Sequence, residues 1–545
     1  MQLYAYGIKE FYIDNVNVAE PEVGIVTAYN QCGALRDKNA SSTGENGLRI
    51  YNKIETGWMA QNRIVEFGSV SLRTQRLKGA ELTLENGEAG VAYSDGTFAE
   101  VTDKIWEETE TAKIFTSYLT NINEDFYDEN YSIRAYAKSS DGTVIYGDVC
   151  EVSVYEILNA IDKGNTADGS EQAETDVNAF NAFTANNTLY YEWCESMEIN
   201  VGKLYAEKHF TYTEQNLKFT EIDEYIKREG RTAMVGGGLK FGWTNAGFTV
   251  AGVFEGDVTL DVNASAEMIC YTIVDGDYDN PVKTRPAKGQ STVTIAENLS
   301  KGYHTLYFLK SSDAGSDITA EQINFTGELT RKLPNKKLRI EFIGDSVTSS
   351  TSLWKDNDDD PNNELDNLEL SNSLLGFPSL VARGINADLS VISKSGHCIS
   401  AKPDLMIMNH YNYSIYGDRS AATAWNFNSN PETDIVVVAL GTNDTPTYMD
   451  DQTGLIAGIN NLLNTVRAKN PNATIIFTYG MMATNLADVY ENTATAWARK
   501  DGNAFYKGLT RGNYCTGLAG HPNPDGHKYN ADVLINFIKE NNLDK

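Results

Sequence analysis

Four residues in the C-terminal part of this 545-residue chain are of types that together could carry out acyl transfer: Ser346, Gly396, Asn443 and His521. Ser346 stands in RIEFIGDSVTSS, Gly396 ends VISKSG before His397, Asn443 lies in VVVALGTND, and His521 lies in GLAGHPNPDGH. A serine hydroxyl is a weak nucleophile at neutral pH and needs a base beside it, which His521 would supply. The tetrahedral intermediate of acyl transfer needs donors aimed at its oxyanion. The backbone N–H groups of Ser346 and Gly396 and the side-chain amide of Asn443 are suited to that task. Taken singly, Gly-Asp-Ser and Gly-Thr-Asn are ordinary turn sequences, so the chemistry requires all four residues in one place.

The elements around them can bring that about. After Pro334 the hydrophobic pattern alternates between β-branched runs and helical stretches. LRIEFIG, LSVIS, DIVVVAL and ATIIFTYG read as buried strands; GFPSLVARGI, LIAGINNLLNTVRA and DVLINFIKE read as amphipathic helices. Continuous apolar strands alternating with helices imply a parallel sheet covered on both faces. Ligands of such sheets bind at the carboxyl ends of the strands. Ser346, Gly396 and Asn443 each follow a strand, and His521 would arrive on the loop before the last helix.

Upstream, residues 1–157 read as an all-β accessory domain of fibronectin or immunoglobulin type, with Asp141-Gly142 as a hairpin turn. Residues 158–204 include the polar, acidic run NAIDKGNTADGSEQAETD and read as a linker or segment of undetermined structure. Residues 205–333 return to short β runs and suggest a second sandwich, jelly-roll-like. Gly236-Gly237-Gly238 lacks the GK[ST] ending of a phosphate loop and reads as a turn. The fold class is therefore multidomain: N-terminal β-sandwich domains followed by a C-terminal α/β domain, 334–545.

The four blocks, in this order and spacing, resemble those of the SGNH (GDSL-type) hydrolase superfamily. The runs RIEFIGDSVT and AWNFNSNPETDIVVVALGTND, with the preceding YHTLYFLKSS, resemble more specifically the family 2 carbohydrate esterases. That resemblance covers about 205–545 and implies a jelly roll followed by an SGNH domain. It implies removal of acetyl groups from polysaccharides or oligosaccharides of xylan or mannan type, without a cofactor or metal. Ser346 would be the nucleophile, His521 the base, and Ser346, Gly396 and Asn443 the oxyanion hole. The superfamily usually has an acidic residue three positions before the histidine; here that position is Leu518. Two readings follow: a Ser-His dyad whose imidazole is held by a backbone carbonyl near Leu518, as occurs in family 2 carbohydrate esterases, or an inert carbohydrate-binding surface protein. An SGNH esterase of another acyl ester is a third. Asp525, after the histidine, reads as a helix-capping or turn residue.

Other residues carry less. Sugar rings stack on aromatic faces, and Trp354, Tyr411, Tyr413, Tyr416 and Trp425 lie in segments around the expected mouth; all but Tyr416 are retained as candidate substrate contacts. His397 borders the expected pocket, His527 reads as packed or solvated, and His209, His304 and His410 have no evident partners. Asp356, Asp358 and Asp360 open like a calcium loop. Pro361 and Asn367 stand where such a loop needs Gly and Glu, so no metal is expected. The six cysteines form no CxxC pair; Cys398 and Cys515 both lie near catalytic blocks, where a disulfide is conceivable. A net charge of -30 opposes binding to nucleic acid and anionic membranes. The composition, rich in Asn, Thr, Tyr, Gly and Asp, suggests an extracellular protein whose leader has been removed. The N-terminal domain would bind carbohydrate or a surface partner.

Overall fold

The computed structural model describes residues 24–28, 34–36, 47–95, 104–120, 122–164, 174–184, 188–355, 368–428, 430 and 432–544. The chain divides into two compact units, Met1–Met197 with Val201–Leu204, and Glu198–Asn200 with Tyr205–Lys545.

Among its described residues the first unit holds two antiparallel sheets, of five and four strands. Ile54 and Phe115 from one sheet and Phe67, Ala135 and Ala137 from the other meet in a shared core. The hairpin expected at Asp141-Gly142 joins the strands Tyr131–Ser139 and Val144–Val152, with Gly142 at φ 90° and Asp141 Oδ1 accepting the Thr143 N–H. Residues 158–204 are more than a linker. Across this stretch the helices Val154–Asp162, Glu174–Thr184 and Leu189–Ser196, the first beginning four residues before it, pack by Ile157, Leu158, Ile161, Phe180 and Tyr190. Asp162 ties the first of them to the third and to Gly202, accepting from the Tyr190 hydroxyl at 2.9 Å and the Gly202 N–H at 2.6 Å. The most polar part of that run, residues 165–173, lies outside the described residues.

Among its described residues the second unit holds a nine-stranded antiparallel sheet and a five-stranded parallel sheet. The antiparallel sheet is built on two long strands, Gly247–Ala264 and Gly289–Lys310. Register shifts at Phe254, Gly256 and Val258 bend their pairing. Gly236 and Gly237 form the turn between Thr232–Val235 and Gly238–Phe241, both at positive φ, as a plain hairpin requires.

The parallel sheet has the spatial order Ala387–Ser393, Leu338–Gly344, Ile435–Ala439, Thr474–Tyr479, Ala504–Gly508. Leu338–Gly344 is thus the first strand in sequence and lies between the next two, which makes its carboxyl end the topological switch point. Helices Phe377–Gly384 and Pro524–Glu540 pack on one face through Val381, Leu534 and Ile538. Helices Thr453–Lys469 and Ala487–Asp501 cover the other through Ile459, Leu463, Tyr490 and Trp497. That second face shares one continuous apolar core with the antiparallel sheet, from Phe248 and Phe308 to Ile343 and Val438. Arg231, 1% exposed, forms a bidentate pair with Glu341 of the first parallel strand at 2.9 and 3.1 Å. Lys227 pairs with Asp388 of the neighbouring strand at 2.6 Å. No helix among the described residues is long and apolar enough to cross a membrane.

Candidate active site

The first strand ends at Gly344, where an added Cβ would lie 1.9 Å from Thr348 Oγ1; only glycine lets the following turn fold back so tightly. That turn is closed by Ser349 N–H to Asp345 O at 3.0 Å and Thr351 N–H to Ser346 O at 3.1 Å. It presents Ser346, 7% exposed, into a cleft of about 380 Å³ at the switch point. Gly396, Asn443 and His521 line the same cleft. The structure therefore brings together all four residues singled out from the sequence.

His521 Nε2 lies 2.9 Å from Ser346 Oγ, and His521 Nδ1 lies 2.8 Å from the Leu518 carbonyl oxygen. A carbonyl only accepts, so Nδ1 carries the proton and Nε2 presents its lone pair to the serine hydroxyl. The loop that achieves this is tight. Gly517 N–H donates to His521 O at 2.9 Å, Leu518 N–H to Trp354 O at 3.1 Å, and Ala519 and Gly520 both take positive φ. At Gly517 a Cβ would fall 2.2 Å from Ser352 O, so glycine is what lets the histidine loop close on the serine turn.

Gly396 has φ 79°, a conformation that favours glycine, on the loop after the second parallel strand. Asn443 Nδ2 donates to the His397 carbonyl at 2.8 Å, which fixes the amide plane and leaves its second N–H for another acceptor. Asp444, fully buried, ties the two loops by accepting the N–H groups of Ile399, Ser400 and Ala401 at 2.8 to 3.0 Å. Burial raises its carboxyl above the usual range, and those three donors oppose the rise. Asp345, beside the serine, is also buried, and desolvation pushes it up to about 7. Its Oδ1 accepts the Val347 N–H at 3.0 Å, while its Oδ2 has no hydrogen-bond partner among the described residues.

The other expectations divide. Tyr411 is no substrate contact: it is fully buried, donates to Glu341 Oε1 at 2.9 Å and stacks under Arg231, because the Arg231–Glu341 pair needs that partner. Trp425 lies against Arg231 and Arg339 and lines a separate cleft with Thr433 and Asn470, at the amino ends of the parallel strands. Tyr413 is half-buried and does not line the active cleft; its carbonyl accepts the Trp243 indole N–H at 3.2 Å. Trp354 adjoins the histidine loop through its carbonyl. His397 is buried behind the cleft, with Nε2 3.2 Å from the Tyr416 hydroxyl, and burial lowers its pKa.

His527 is packed: its Nδ1 accepts the Phe377 N–H at 3.1 Å, and burial holds its pKa at about 3. Asp525 is exposed in the first turn of the last helix, whose cap is Asn523, accepting from Gly526 N–H at 2.9 Å. His304 and His410 do have partners: Asp275, 2.7 Å from His304 Nδ1, and Arg419, 3.4 Å from His410 Nε2. His209 stacks on Tyr205. Cys398 and Cys515 are both free thiols. The calcium-like run 356–367 lies outside the described residues.

The cleft also contains residues the sequence reading missed, above all Ser312 and Asp313, from the loop after Gly289–Lys310 of the antiparallel sheet. Their signal is tertiary, since nothing local in KSSDAGS marks them.

No family model matches the chain. Over 254 residues it is 27% identical to the cellulase/esterase CelE of Acetivibrio thermocellus, which covers 45% of this chain and 30% of that protein. Over 219 residues it is 25% identical to an acetylxylan esterase / glucomannan deacetylase of Cellvibrio japonicus, covering 39% of this chain and 57% of that one. The chain thus spans under two thirds of the length of these curated relatives. Among solved structures, a family two carbohydrate esterase from Clostridium thermocellum, in complex with cellohexaose, superposes with a TM-score of 0.52 at 24% identity. It covers 59% of this chain and 100% of its own. The acetyl xylan esterase Est2A from Butyrivibrio proteoclasticus gives 0.53 at 19% identity, over 61% of this chain and 100% of its own. These two likenesses establish the fold, and the curated relatives add the kinship in sequence. The chain is thus similar in sequence to these curated esterases and in fold to solved family two carbohydrate esterases, the likeness that its four sequence blocks carry.

Proposed function

We propose that the chain is a carbohydrate O-acetyl esterase that deacetylates polysaccharides or oligosaccharides of xylan or mannan type by a Ser346–His521 dyad. The observation that carries this reading is the relay from Ser346 Oγ to His521 Nε2, 2.9 Å, and from His521 Nδ1 to Leu518 O, 2.8 Å. His521 Nε2 takes the Ser346 proton as Oγ bonds to the acetyl carbonyl carbon. The carbonyl oxygen becomes the oxyanion and is met by the N–H groups of Ser346 and Gly396 and the free N–H of the Asn443 amide. Collapse breaks the bond to the sugar oxygen, which leaves with the proton from Nε2 and gives acetyl-Ser346. Water, deprotonated by His521, attacks the acetyl-serine; the bond to Ser346 Oγ breaks, Oγ takes the proton back from Nε2, and acetate is released. The neutral Leu518 carbonyl fixes the tautomer throughout and stabilises the imidazolium less than a carboxylate would.

In this reading the antiparallel domain is jelly-roll-like, and Trp354 is the remaining aromatic candidate for a sugar contact. The N-terminal unit is an accessory domain for carbohydrate or a surface partner. The whole acts outside the cell, where its substrates are. The test is acetate release from acetylated xylan and acetylated glucomannan by wild type and Ser346→Ala, with a chromogenic octanoate ester alongside. Release by wild type alone, with octanoate poorly used, supports the reading. Equal release by both proteins leaves an inert carbohydrate-binding protein, and preference for octanoate moves the substrate to another acyl ester.

A further inference from the structure

The loop that carries Gly396 is held from outside the parallel sheet. Asp313, on the antiparallel sheet's loop, places Oδ2 2.5 Å from Lys394 Nζ and accepts the Ser395 N–H at 3.2 Å. Lys394 and Ser395 directly precede Gly396. Gly315, at φ 121°, brings the same loop's backbone against Lys394, where a Cβ would lie 3.2 Å from Lys394 Cε. The loop is in turn fixed by Lys310, which is fully buried and donates from Nζ to the carbonyls of Ser312 and Asp313, both at 2.7 Å. A buried ammonium that spends two donors on adjacent carbonyls leaves the 312–313 backbone little freedom.

The arrangement has a direction. Gly396 has no side chain to anchor it, so the aim of its N–H depends on what holds the residues before it. Asp313 holds both of them, one by charge and one through the backbone. We propose that Asp313 is a positioning residue for the oxyanion site, through which the antiparallel domain sets the aim of the Gly396 N–H. The proposal rests on the esterase reading and deepens it: the β-domain is then part of the catalytic apparatus as well as a neighbour of it. The interaction is made at the donor loop, so an effect through the aim of the Gly396 N–H is felt in the transition state and little in ground-state binding.

The test is steady-state kinetics on a chromogenic acetate ester for wild type, Ser346→Ala, Asp313→Ala and Asp313→Asn, with Tm measured for each. Asp313→Ala is expected to lower kcat about 10- to 100-fold with KM held within about twofold, since misaimed donors cost catalysis rather than binding. Asp313→Asn keeps an acceptor for the Ser395 N–H and should recover most of that loss. A kcat within about twofold of wild type in Asp313→Ala overturns the proposal. So does a raised KM at unchanged kcat, which would make Asp313 a substrate contact. A loss that tracks a fall in Tm and is not recovered by Asn likewise overturns it. If wild type is no faster than Ser346→Ala, the esterase reading falls and this proposal with it. If wild type is active and the Asp313 variants match it, only this proposal falls.

Discussion

His521 is oriented by an acceptor that belongs to the backbone, so the side chain at 518 is released from the duty an acid performs in a triad. Leu518→Ala should therefore keep activity on an acetate ester within about threefold, because the carbonyl remains. His521→Ala should lose about 10³-fold or more, and Asp525→Ala should stay near wild type. The reverse order would put the orienting group at Asp525. Ser346 and His521 were legible as a pair because each stands in a motif that chemistry constrains. Leu518 was legible only as a missing acid, since a backbone carbonyl leaves no mark in residue type. Tyr411 and Trp425 show the converse: an aromatic side chain reads alike whether it meets a sugar or a guanidinium. At Asp345 the sign of the pH dependence follows from burial. Its folded pKa, about 7, lies above the unfolded value, so its contribution to stability is fully present below about pH 4 and is lost as pH rises through 7. Relative to Asp345→Asn, wild type should lose urea stability across that interval; parallel pH profiles for the two proteins would refute the assignment.

Among the elements, the last helix is placed by His527, whose Nδ1 accepts the N–H of Phe377 at the start of a neighbouring helix. Its folded pKa, about 3, lies below the unfolded value near 6.5. The stability it contributes is thus present above about pH 6.5 and declines as pH falls toward 3. His527→Leu should cost about 1 to 3 kcal/mol in urea denaturation near pH 7 by orphaning the Phe377 N–H, and should flatten the acid limb. Strands with continuous β-branched runs were readable, and so were helices with a clean apolar stripe. Ala487–Asp501 escaped notice because its buried face, Tyr490, Ala494, Trp497 and Ala498, is half alanine. Ala504–Gly508, an edge strand of five half-exposed or exposed residues, has little apolar signal. Val154–Asp162 was announced by a capping box that went unread, Ser153 and Glu156 each bonding the other's backbone.

At the scale of the molecule, the antiparallel and parallel sheets of the second unit are joined by charge as well as by apolar contact. The Arg231–Glu341 pair is buried, with Ser390 and Tyr411 also donating to the carboxylate. Arg231→Met leaves Glu341 buried and unpaired and should cost about 3 to 5 kcal/mol by urea denaturation, whereas Arg231→Met with Glu341→Leu should cost less than the single change. A double variant as unstable as the sum of two large single losses would mean the pair is not coupled. The passage from an antiparallel to a parallel sheet was legible from the change of hydrophobic rhythm at Pro334. The joint between them was not, because Arg231 and Glu341, like Asp313 and Lys394, are far apart in sequence and each reads as an ordinary surface charge. The account as a whole stands on Ser346 carrying the acyl group. The most direct measurement is a rapid quench of wild type turning over a chromogenic acetate ester, followed by digestion and mass spectrometry. The account predicts an acetyl group on the Ser346 peptide, absent from Ser346→Ala together with turnover. Turnover in Ser346→Ala equal to wild type, or acetylation at another residue in its place, would contradict it.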